Sequence, residues 1–377
     1  MREVVFTEDS LTGISKKEIF IKISNNFVRE VDGKIQFTNS SEHQLDYLVY
    51  MTLISKMTIL DDFNVTLNTL IETMGFKPRT GKGSITERVK SSLDRLQLEH
   101  RLIRYEYKNA KEIQGSFVPL DPDKKFFKIK LINLMHLLSN NIFKMNENDN
   151  LDKYTDKAKT IYVYSYLLSL MGNHKTTEAT IHWRGCFPSL EQICRDCNVS
   201  KEFLLKQLAY FEYDGLIFTT NIGYVSKDKS KMNACNYYTD DMRYLSSSYI
   251  YARAYYDMNG YKHSKYYYCV KDILSEIKEL LEKSSNRLNK KELSRFKPFY
   301  RLIIENTLRM SEKYFIDISY EKSQQYIESQ EFLKTKFEGF NGLPVLLFVA
   351  DNRDAAVPLL YHLKNKLKAL MYLYDIR

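Results

Sequence analysis

Glycine and proline are scarce in this sequence, with 13 and 7 residues among 377. Average usage would supply roughly 12% of the two together, so the shortage favours long elements with short connections and predicts a mainly helical chain. Cysteine is also scarce. The five cysteines are odd in number and clustered, which favours reduced thiols over a disulfide framework.

Long apolar runs are absent as well. The longest, at residues 161–172 and 343–350, fall short of the roughly 18 uncharged apolar residues that a membrane-spanning helix needs. The first nine residues include early acids and no hydrophobic run of signal-peptide length. We therefore expect a cytoplasmic protein that has no membrane partner.

Positive charge is abundant by comparison. Lysine and arginine number 56 against 47 acidic residues, which gives a net charge of +9 and an isoelectric point near 9.0. Such a surface attracts polyanions more readily than cations. Hydrophobic residues make up 44% of the chain, enough to form cores for roughly two to three domains and to exclude a wholly disordered chain.

Residues 188–215 carry the strongest local pattern. Ser189 and Gln192 form a capping box at the start of one helix, and Ser200 caps a second helix after a tight turn. Gly215 ends the second helix. Apolar residues recur at helical spacing, and the predicted core positions are Leu190, Ile193, Cys194 and Cys197 in one helix and Leu204, Leu208 and Phe211 in the other.

A β-hairpin follows these two helices. Residues 216–220 and 234–239 read as strands, and the polar residues 221–233 read as the hairpin tip. Helix, short turn, helix and hairpin resembles the bacterial winged-helix family, with residues 189–193, 199–200 and 215–217 at the family's spacing. The resemblance implies a winged helix-turn-helix domain that binds DNA.

A second occurrence of the pattern lies upstream. Ser84 and Glu87 form a capping box for a helix that follows a basic turn, which we define as residues 77–83. Residues 102–107 and 115–120 supply two hairpin strands. The predicted core face of this helix consists of Ile85, Val89, Leu93 and Leu96.

The two occurrences share what precedes them. Each begins with a short apolar lead-in, at residues 20–23 and 126–130, and continues with a hydrophobic helix, at residues 45–57 and 158–171. We infer a tandem repeat of roughly 105 to 110 residues. The first copy denotes residues 20–120 below, and the second copy denotes residues 126–239.

The pattern changes after residue 245. Helices are predicted at residues 249–257, 266–283, 290–313, 321–337 and 354–372, with short strands at 314–319 and 343–350. The predicted fold class is therefore α+β and mainly helical. Two tandem winged helix-turn-helix domains, at residues 1–125 and 126–245, would precede a mostly helical C-terminal domain at residues 246–377.

Motifs for bond chemistry are incomplete in this sequence. Residues 75–84 resemble a phosphate-binding loop, but the spacer between the glycines has five residues and Gly83 follows Lys82. No two histidines are separated by one residue, as a metal-dependent DNA-nicking site would need. His182, Cys186, Cys194 and Cys197 have a spacing that zinc could use, yet the last two occupy predicted core positions. We expect no enzyme activity, no cofactor and no metal.

Contact with DNA is the better supported chemistry in the first copy. Between residues 77 and 95 there are six basic residues against two acidic ones, at a turn and helix N-terminus that already favour a phosphate. Arg79 and Lys82 would hold the DNA backbone, while a mixed face centred on Glu87, Ser91 and Asp94 would read base edges. The candidate DNA-binding residues are Lys77, Arg79, Lys82, Ser84, Arg88, Lys90, Ser91 and Arg95.

The second copy supplies further candidates. The outward face of its second helix centres on Glu202, Lys206 and Ala209. Exposed apolar residues at 203, 205 and 210 point to a protein partner, so DNA binding and dimerisation both remain open for this copy. The candidate DNA-binding residues are Lys201, Lys206, Tyr224, Lys227, Lys229 and Lys231.

The architecture as a whole resembles the replication initiators of theta-type plasmids from low-GC bacteria. This resemblance implies sequence-specific binding to double-stranded DNA at direct repeats of an origin and recruitment of host initiator or helicase-loading proteins. Self-association as a dimer is expected separately, from the apolar face of the second copy or from the C-terminal domain. Two alternatives stay open. One is a winged-helix transcriptional regulator at an inverted repeat, and the other is a DNA-processing nuclease that uses Asp317 and Glu321 in a C-terminal catalytic domain.

Overall fold

The computed structural model describes residues 2–8, 15–58, 60–109, 111–121, 124–139, 153–175, 182–228, 230–241, 244–262, 276–277, 279–280, 283, 361–368 and 371. These residues form helices and small antiparallel sheets, which confirms the predicted mixture of α and β structure. None of the helices in these ranges is both long and apolar enough to span a bilayer. The predicted elements at 290–313, 314–319, 321–337 and 343–350 lie outside the described residues, as do Asp317 and Glu321.

The chain divides into two compact units. Unit 1 comprises residues 1–170 and 191–200, and unit 2 comprises residues 171–190 and 201–377. The three predicted domains, with boundaries at residues 125 and 245, stay a prediction.

Unit 1 combines two three-stranded sheets with a helical core. Its elements are β1 (Arg2–Glu8), β2 (Ser15–Ser24), α1 (Ser41–Ser55), β3 (Asp62–Thr66), α2 (Leu67–Thr73), α3 (Ile85–Leu98), β4 (Ile103–Tyr107), β5 (Glu112–Phe117), β6 (Phe126–Lys130), α4 (Leu131–Ser139), α5 (Lys153–Leu170) and all but the first residue of α6 (Leu190–Cys197).

Unit 2 contains short strands and, among the described residues, two helices whose ends are defined. They are β7 (Gly172–Lys175), β8 (His182–Gly185), α7 (Lys201–Tyr213), β9 (Phe218–Thr220), β10 (Tyr224–Lys227), β11 (Ser230–Asn233), β12 (Tyr237–Thr239) and α8 (Leu245–Met258). Residues 361–368 are also helical.

The lead-ins of the two copies form one sheet. They lie in β2 and β6, which pair antiparallel, and β1 pairs with the other edge of β2. Ile21 and Ile23 of β2 are buried opposite Ile129 and Phe127 of β6, so one face of this sheet packs on the core. The helices predicted after each lead-in are α1 and α5, and these two helices pack against each other.

Helix α1 is buried on almost every side. Ser40 caps its N-terminus by accepting a hydrogen bond from the His43 backbone N–H at 3.2 Å. Tyr47 packs edge-on against Tyr162 of α5, with ring centroids 5.9 Å apart. The Tyr162 hydroxyl donates to the Phe37 carbonyl at 2.8 Å, so the ring is buried without an unpaired hydroxyl. The core of unit 1 therefore depends on both copies of the repeat.

The second sheet of unit 1 has the order β3-β5-β4. Strand β3 is absent from the sequence prediction, and β5 begins at Glu112 rather than at residue 115. The reason is a tight turn in which Asn109 Oδ1 accepts hydrogen bonds from the backbone N–H groups of Lys111 and Glu112. This turn brings the return strand back earlier than predicted.

The hairpin tip predicted at residues 221–233 is also corrected by the structure. It contains two further strands, β10 and β11, which pair with each other, while β9 pairs with β12. The return strand is shorter than predicted, because it begins at Tyr237 and not at residue 234. Gly215 does end α7 as predicted, with a φ of 68° that favours glycine.

Candidate nucleic-acid interface

Helix α3 presents one face to the core and one to solvent. Val89, Leu93 and Leu96 are fully buried as predicted, and Ile85 is half-buried. The Ser84 hydroxyl accepts from the Glu87 N–H at 3.3 Å, and the Glu87 carboxylate accepts from the Gly83 N–H. Ser84 and Glu87 therefore fix the start of α3, and the Ser84 hydroxyl is already engaged in the helix cap.

The basic turn precedes α3, and all of its residues except Pro78 are exposed. Gly81 and Gly83 have φ values of 123° and 73°, and nothing lies within 4 Å of the position that a Cβ would take at either residue. The Arg79 backbone N–H donates to the Thr86 hydroxyl at 3.2 Å, which ties the turn to the first turn of α3. Glycine thus allows a backbone path that carries the side chains of the turn into solvent.

Four basic side chains on this surface are exposed and lack a counter-charge. They are Lys77, Arg79 and Lys82 of the turn and Lys90 of α3. In the part of the chain that the structure describes, none of the four has a carboxylate within ion-pair distance. We call these four residues the cationic cluster. Ser91 is exposed beside them, and Arg88 is half-buried.

Arg95 has a different environment from the other candidates. Its guanidinium donates to both carboxylate oxygens of Asp46 at 2.8 and 2.7 Å, and it lies 3.0 Å from Glu42. Burial alone would raise the pKa of the Asp46 carboxyl, but hydrogen bonds from His100 and Arg95 hold that pKa below its usual value. Arg95 therefore joins α3 to α1 and lies apart from the cationic cluster.

The β4–β5 hairpin lies next to α3 and adds basic residues that the sequence analysis missed. Arg104, Lys108 and Lys111 are exposed on it. The Tyr105 hydroxyl donates to Asp94 of α3 at 2.6 Å, and burial together with this carboxylate raises the pKa of Tyr105. The sequence could have indicated Arg104, Lys108 and Lys111 as candidates, because they lie in or beside the strands of a hairpin predicted to follow the basic turn and its helix.

The face predicted to read base edges is only partly available. Glu87 caps the helix and Asp94 accepts from Tyr105, so both carboxylates have structural partners. Ser91 stays exposed between them on α3. A hydroxyl can donate and accept hydrogen bonds at base edges, which leaves Ser91 as the polar residue of this face best suited to readout.

The candidate DNA-binding residues of the second copy lie in different environments. Lys201 and Lys206 are exposed on α7. Tyr224 is exposed on β10, and the Lys231 ammonium lies 4.3 Å from the centre of its ring. The Lys227 ammonium donates to the Asn259 carbonyl at the end of α8, at 3.0 Å. Lys229 lies outside the described residues.

The predicted apolar surface of α7 is smaller than the sequence indicated. Tyr210, expected to be exposed, is buried, and burial with a hydrogen bond to Asp214 raises the pKa of its hydroxyl. Phe203 is half-buried, and Leu205 remains exposed. The correction has a simple cause, because a tyrosine can bury its ring when its hydroxyl reaches a partner.

One group of side chains among the described residues has the composition of a metal site. Ligand atoms of His43, Asp46 and His100 all lie within 4.8 Å of one another. However, the Thr38 N–H donates to Nδ1 of His43, which places the proton of the neutral ring on Nε2, and Asp46 accepts from Arg95. Hydrogen bonds therefore satisfy the group, and we assign no metal to it.

Two of the cysteines considered for zinc are buried. Cys186 is buried in unit 2 and Cys197 is buried in unit 1, and burial raises the pKa of both thiols. Buried, protonated thiols are what the core interpretation of these cysteines predicts. The buried positions match the core role that the sequence pattern favoured for Cys197.

Comparison of the chain with protein-family models, with curated proteins and with solved structures finds no match. The functional conclusion therefore depends on the residues themselves. The cationic cluster, the N-terminus of α3 and the β4–β5 hairpin are the observations available for it.

Proposed function

We propose that this protein binds double-stranded DNA sequence-specifically through unit 1, with the cationic cluster on the phosphates and the exposed face of α3 at the base edges. The observation that supports the proposal is the exposure of four basic side chains without a carboxylate partner among the described residues. A surface whose basic side chains have no carboxylate partner attracts polyanions and raises their local concentration. Because the chain as a whole also carries a net charge of +9, DNA is the partner that this chemistry fits best.

The order of elements supports the same proposal. Helix α1, strand β3, helices α2 and α3, and the hairpin β4–β5 follow one another as in a winged helix-turn-helix domain. We propose that α3 is its recognition helix and that the β4–β5 hairpin is its wing. On this interpretation α3 enters the major groove, and the exposed Arg104, Lys108 and Lys111 contact the phosphates beside it.

The roles within the interface follow from charge and position. Arg79 and Lys82 would neutralise phosphates, and the backbone N–H groups at the start of α3 would add a favourable dipole. Ser91 would contact base edges from the exposed face of α3. Phosphate contacts supply affinity for any sequence, whereas base contacts supply the preference for one site.

The biological role that we propose follows the resemblance to plasmid replication initiators. The two copies would bind direct repeats at an origin, and host initiator or helicase-loading proteins would join them there. Binding energy would be used to deform the DNA, with no covalent step. The C-terminal residues and the second copy would contribute self-association or a second DNA contact.

A salt titration tests the interface. We expect Arg79→Ala combined with Lys82→Ala to weaken binding to every duplex sequence and to lower the slope of log affinity against log salt by about two. The matched control is Lys124→Ala combined with Lys125→Ala, which makes the same change in net charge at exposed positions before β6. The control should keep the slope of the unmodified protein, as measured by fluorescence anisotropy with a labelled duplex.

The same titration can contradict the proposal at two levels. An unchanged affinity and slope for the Arg79 and Lys82 variant would remove the cationic cluster from the DNA interface. No binding to any duplex at low ionic strength would overturn the proposed function itself.

Mapping of the bound sites tests the biological role. Several direct repeats near an origin would support the initiator, whereas one inverted repeat over a promoter would support the transcriptional regulator. We also expect Lys206→Ala to change the selected sequence if α7 reads bases. An unchanged selection profile would assign α7 to protein contacts.

A further inference from the structure

Unit 2 contains a cavity of about 510 Å³ beside α7. One wall is the α7 face with Glu202, Lys206 and Ala209, which the sequence pattern predicted to face outward. The opposite wall belongs to the C-terminal helical residues, where Tyr361, Asn365, Lys368 and Met371 recur every three or four positions. This spacing places all four on one face of a helix, so that face is turned toward the cavity.

The size of the cavity is that of a ligand site. Pockets for small molecules measure roughly 300 to 1,000 Å³, while a single water occupies about 30 Å³. The cavity is open to solvent on one side, and its lining includes the exposed side chains of Glu202 and Lys206, so a molecule can enter it from solution. The volume therefore points to an occupant larger than one or two solvent molecules.

The charged side chains of the lining indicate the sign of the charge that an occupant would carry. Lys206, Lys283 and Lys368 line the cavity, against the one carboxylate of Glu202. Within the described residues, Lys283 and Lys368 have no carboxylate at ion-pair distance. Burial lowers the pKa of the nearby Lys364 to about 8, and the positive charge of Lys368 contributes to that lowering. Glu276 pairs with Lys364 and does not line the cavity, so the lining itself carries three positive charges against one negative charge and favours an anion.

Neutral groups of the lining are held in fixed orientations. The Asn236 carboxamide oxygen accepts from Asn221 Nδ2 at 2.7 Å, and its Nδ2 donates to the Tyr238 hydroxyl at 3.3 Å. The Tyr361 hydroxyl lies 3.5 Å from the same carboxamide oxygen. Leu205 and Leu208 add an apolar wall beside these polar groups. Fixed polar groups next to an apolar surface suit a molecule with one charged and one apolar part.

We propose that this cavity binds a small organic phosphate of nucleotide size, with the phosphate at the lysines and the flat apolar part against α7. The lysines supply charge-assisted hydrogen bonds to phosphate oxygens, and Asn365 supplies neutral hydrogen bonds to the rest of the molecule. This site is separate from the proposed DNA interface of unit 1 and does not depend on it.

Calorimetric titration of the full chain with ADP, adenosine and inorganic phosphate tests the site. We expect ADP to bind and the two partial probes to bind at least about tenfold more weakly, because each engages half of the lining. Lys283→Gln and Lys368→Gln should each weaken ADP binding about tenfold, as expected for the loss of a charged hydrogen bond. The control Lys201→Gln, at an exposed α7 position outside the lining, should leave ADP affinity unchanged.

Thermal unfolding of each variant separates loss of a ligand contact from loss of structure. Because Lys283 and Lys368 belong to different segments of the chain, a folding defect in one variant leaves the other variant to test the contact. Absence of ADP binding, or ADP binding that neither substitution weakens, would overturn the proposal. A short duplex that binds in a Lys368-dependent manner while ADP does not would assign these lysines to DNA instead.

Discussion

Arg95 owes its structural role to one buried carboxylate. The sequence grouped it with the other basic residues because it lies in the same short segment. On α3, however, it faces α1, where the fully buried Asp46 accepts two hydrogen bonds from it. Asp46 lies 49 positions earlier in the chain, so no local pattern could reveal the pair. The exposure of the cationic cluster, by contrast, could be predicted from the local sequence alone.

Loss of Arg95 should destabilise the protein more than loss of an exposed lysine. We expect Arg95→Gln to lower the free energy of unfolding by about 3 to 5 kcal/mol, because it leaves the Asp46 carboxylate buried without its cation. Lys90→Gln, on the exposed face of the same helix, should change it by less than about 0.5 kcal/mol. Urea denaturation measures both, and equal effects would contradict the structural role of Arg95.

His43 makes the stability of unit 1 sensitive to pH. Burial lowers the pKa of His43 below its ordinary value of 6.5, and the charges of His100 and Arg95 contribute to the lowering. The unfolded chain therefore binds a proton at this residue at a higher pH than the folded chain does. Stability from His43 is complete above about pH 6.5 and is lost as the pH falls toward the folded pKa.

The expected outcome is a free energy of unfolding that declines between about pH 7 and pH 5. In the His43→Gln variant the free energy of unfolding should decline less over this pH range. In the control variant His136→Gln, whose substitution lies in α4 away from His43, Asp46 and His100, it should decline as in the unmodified protein. Denaturation in urea at a series of pH values gives the comparison. An identical decline in His43→Gln and the unmodified protein would contradict the assignment.

Secondary-structure elements differed in how well the sequence predicted them. Helices α3 and α7 were found because their apolar residues recur at helical spacing, whereas α5, predicted from a hydrophobic stretch at residues 158–171, begins five residues earlier, at Lys153. The hairpin β10–β11 was missed because every residue of β11 is exposed and gives no alternation of apolar and polar residues. Strand β6 was placed correctly, but its partner β2 belongs to the other copy, and sequence periodicity carries no information on such distant pairing.

Gly115 tests the packing of the β3-β5-β4 sheet. A Cβ at this residue would lie 2.4 Å from the Arg104 carbonyl oxygen and 2.6 Å from Phe63 Cζ. Gly115→Ala should therefore lower the free energy of unfolding by about 1 to 3 kcal/mol or more and weaken DNA binding through the displaced hairpin. Gly83→Ala meets open space and should cost only about 1 kcal/mol of backbone strain.

Thermal unfolding and duplex binding should both show a larger loss for Gly115→Ala than for Gly83→Ala. Arg104 is exposed on the strand that the new methyl group would displace, so binding and stability should fall together. A Gly115→Ala protein as stable as Gly83→Ala would show that the sheet tolerates the added carbon.

At the scale of the molecule, the two copies share one sheet and one core, whereas the sequence pattern predicted two separate domains. The second copy supplies β6 to the sheet of β2 and supplies α5 to the core around Tyr47. Gln44 Nε2 of α1 donates to the Cys197 carbonyl of α6 at 2.8 Å, which adds a further link within unit 1. Repeat periodicity predicted the existence of two copies, but the exchange of elements between them depends on contacts more than 100 residues apart.

Fragments of the chain provide the corresponding test. We expect residues 1–200, which include all of unit 1, to unfold cooperatively in urea. Residues 1–125 should lack cooperative unfolding, because they leave Ile21, Ile23 and Tyr47 without β6 and α5 to cover them. Circular dichroism follows both fragments, and a cooperatively folded 1–125 fragment would support the boundary predicted at residue 125.

The pairing of β2 with β6 also sets the order of events during biosynthesis. Glu18 of β2 and its partner Lys130 of β6 are separated by 112 positions, so translation must pass both hairpin strands before this sheet can close. Helices α5 and α6 emerge later still. The nascent first copy thus keeps an unpaired strand edge and uncovered apolar side chains while the second copy is being made, which is the period when chaperone protection matters most.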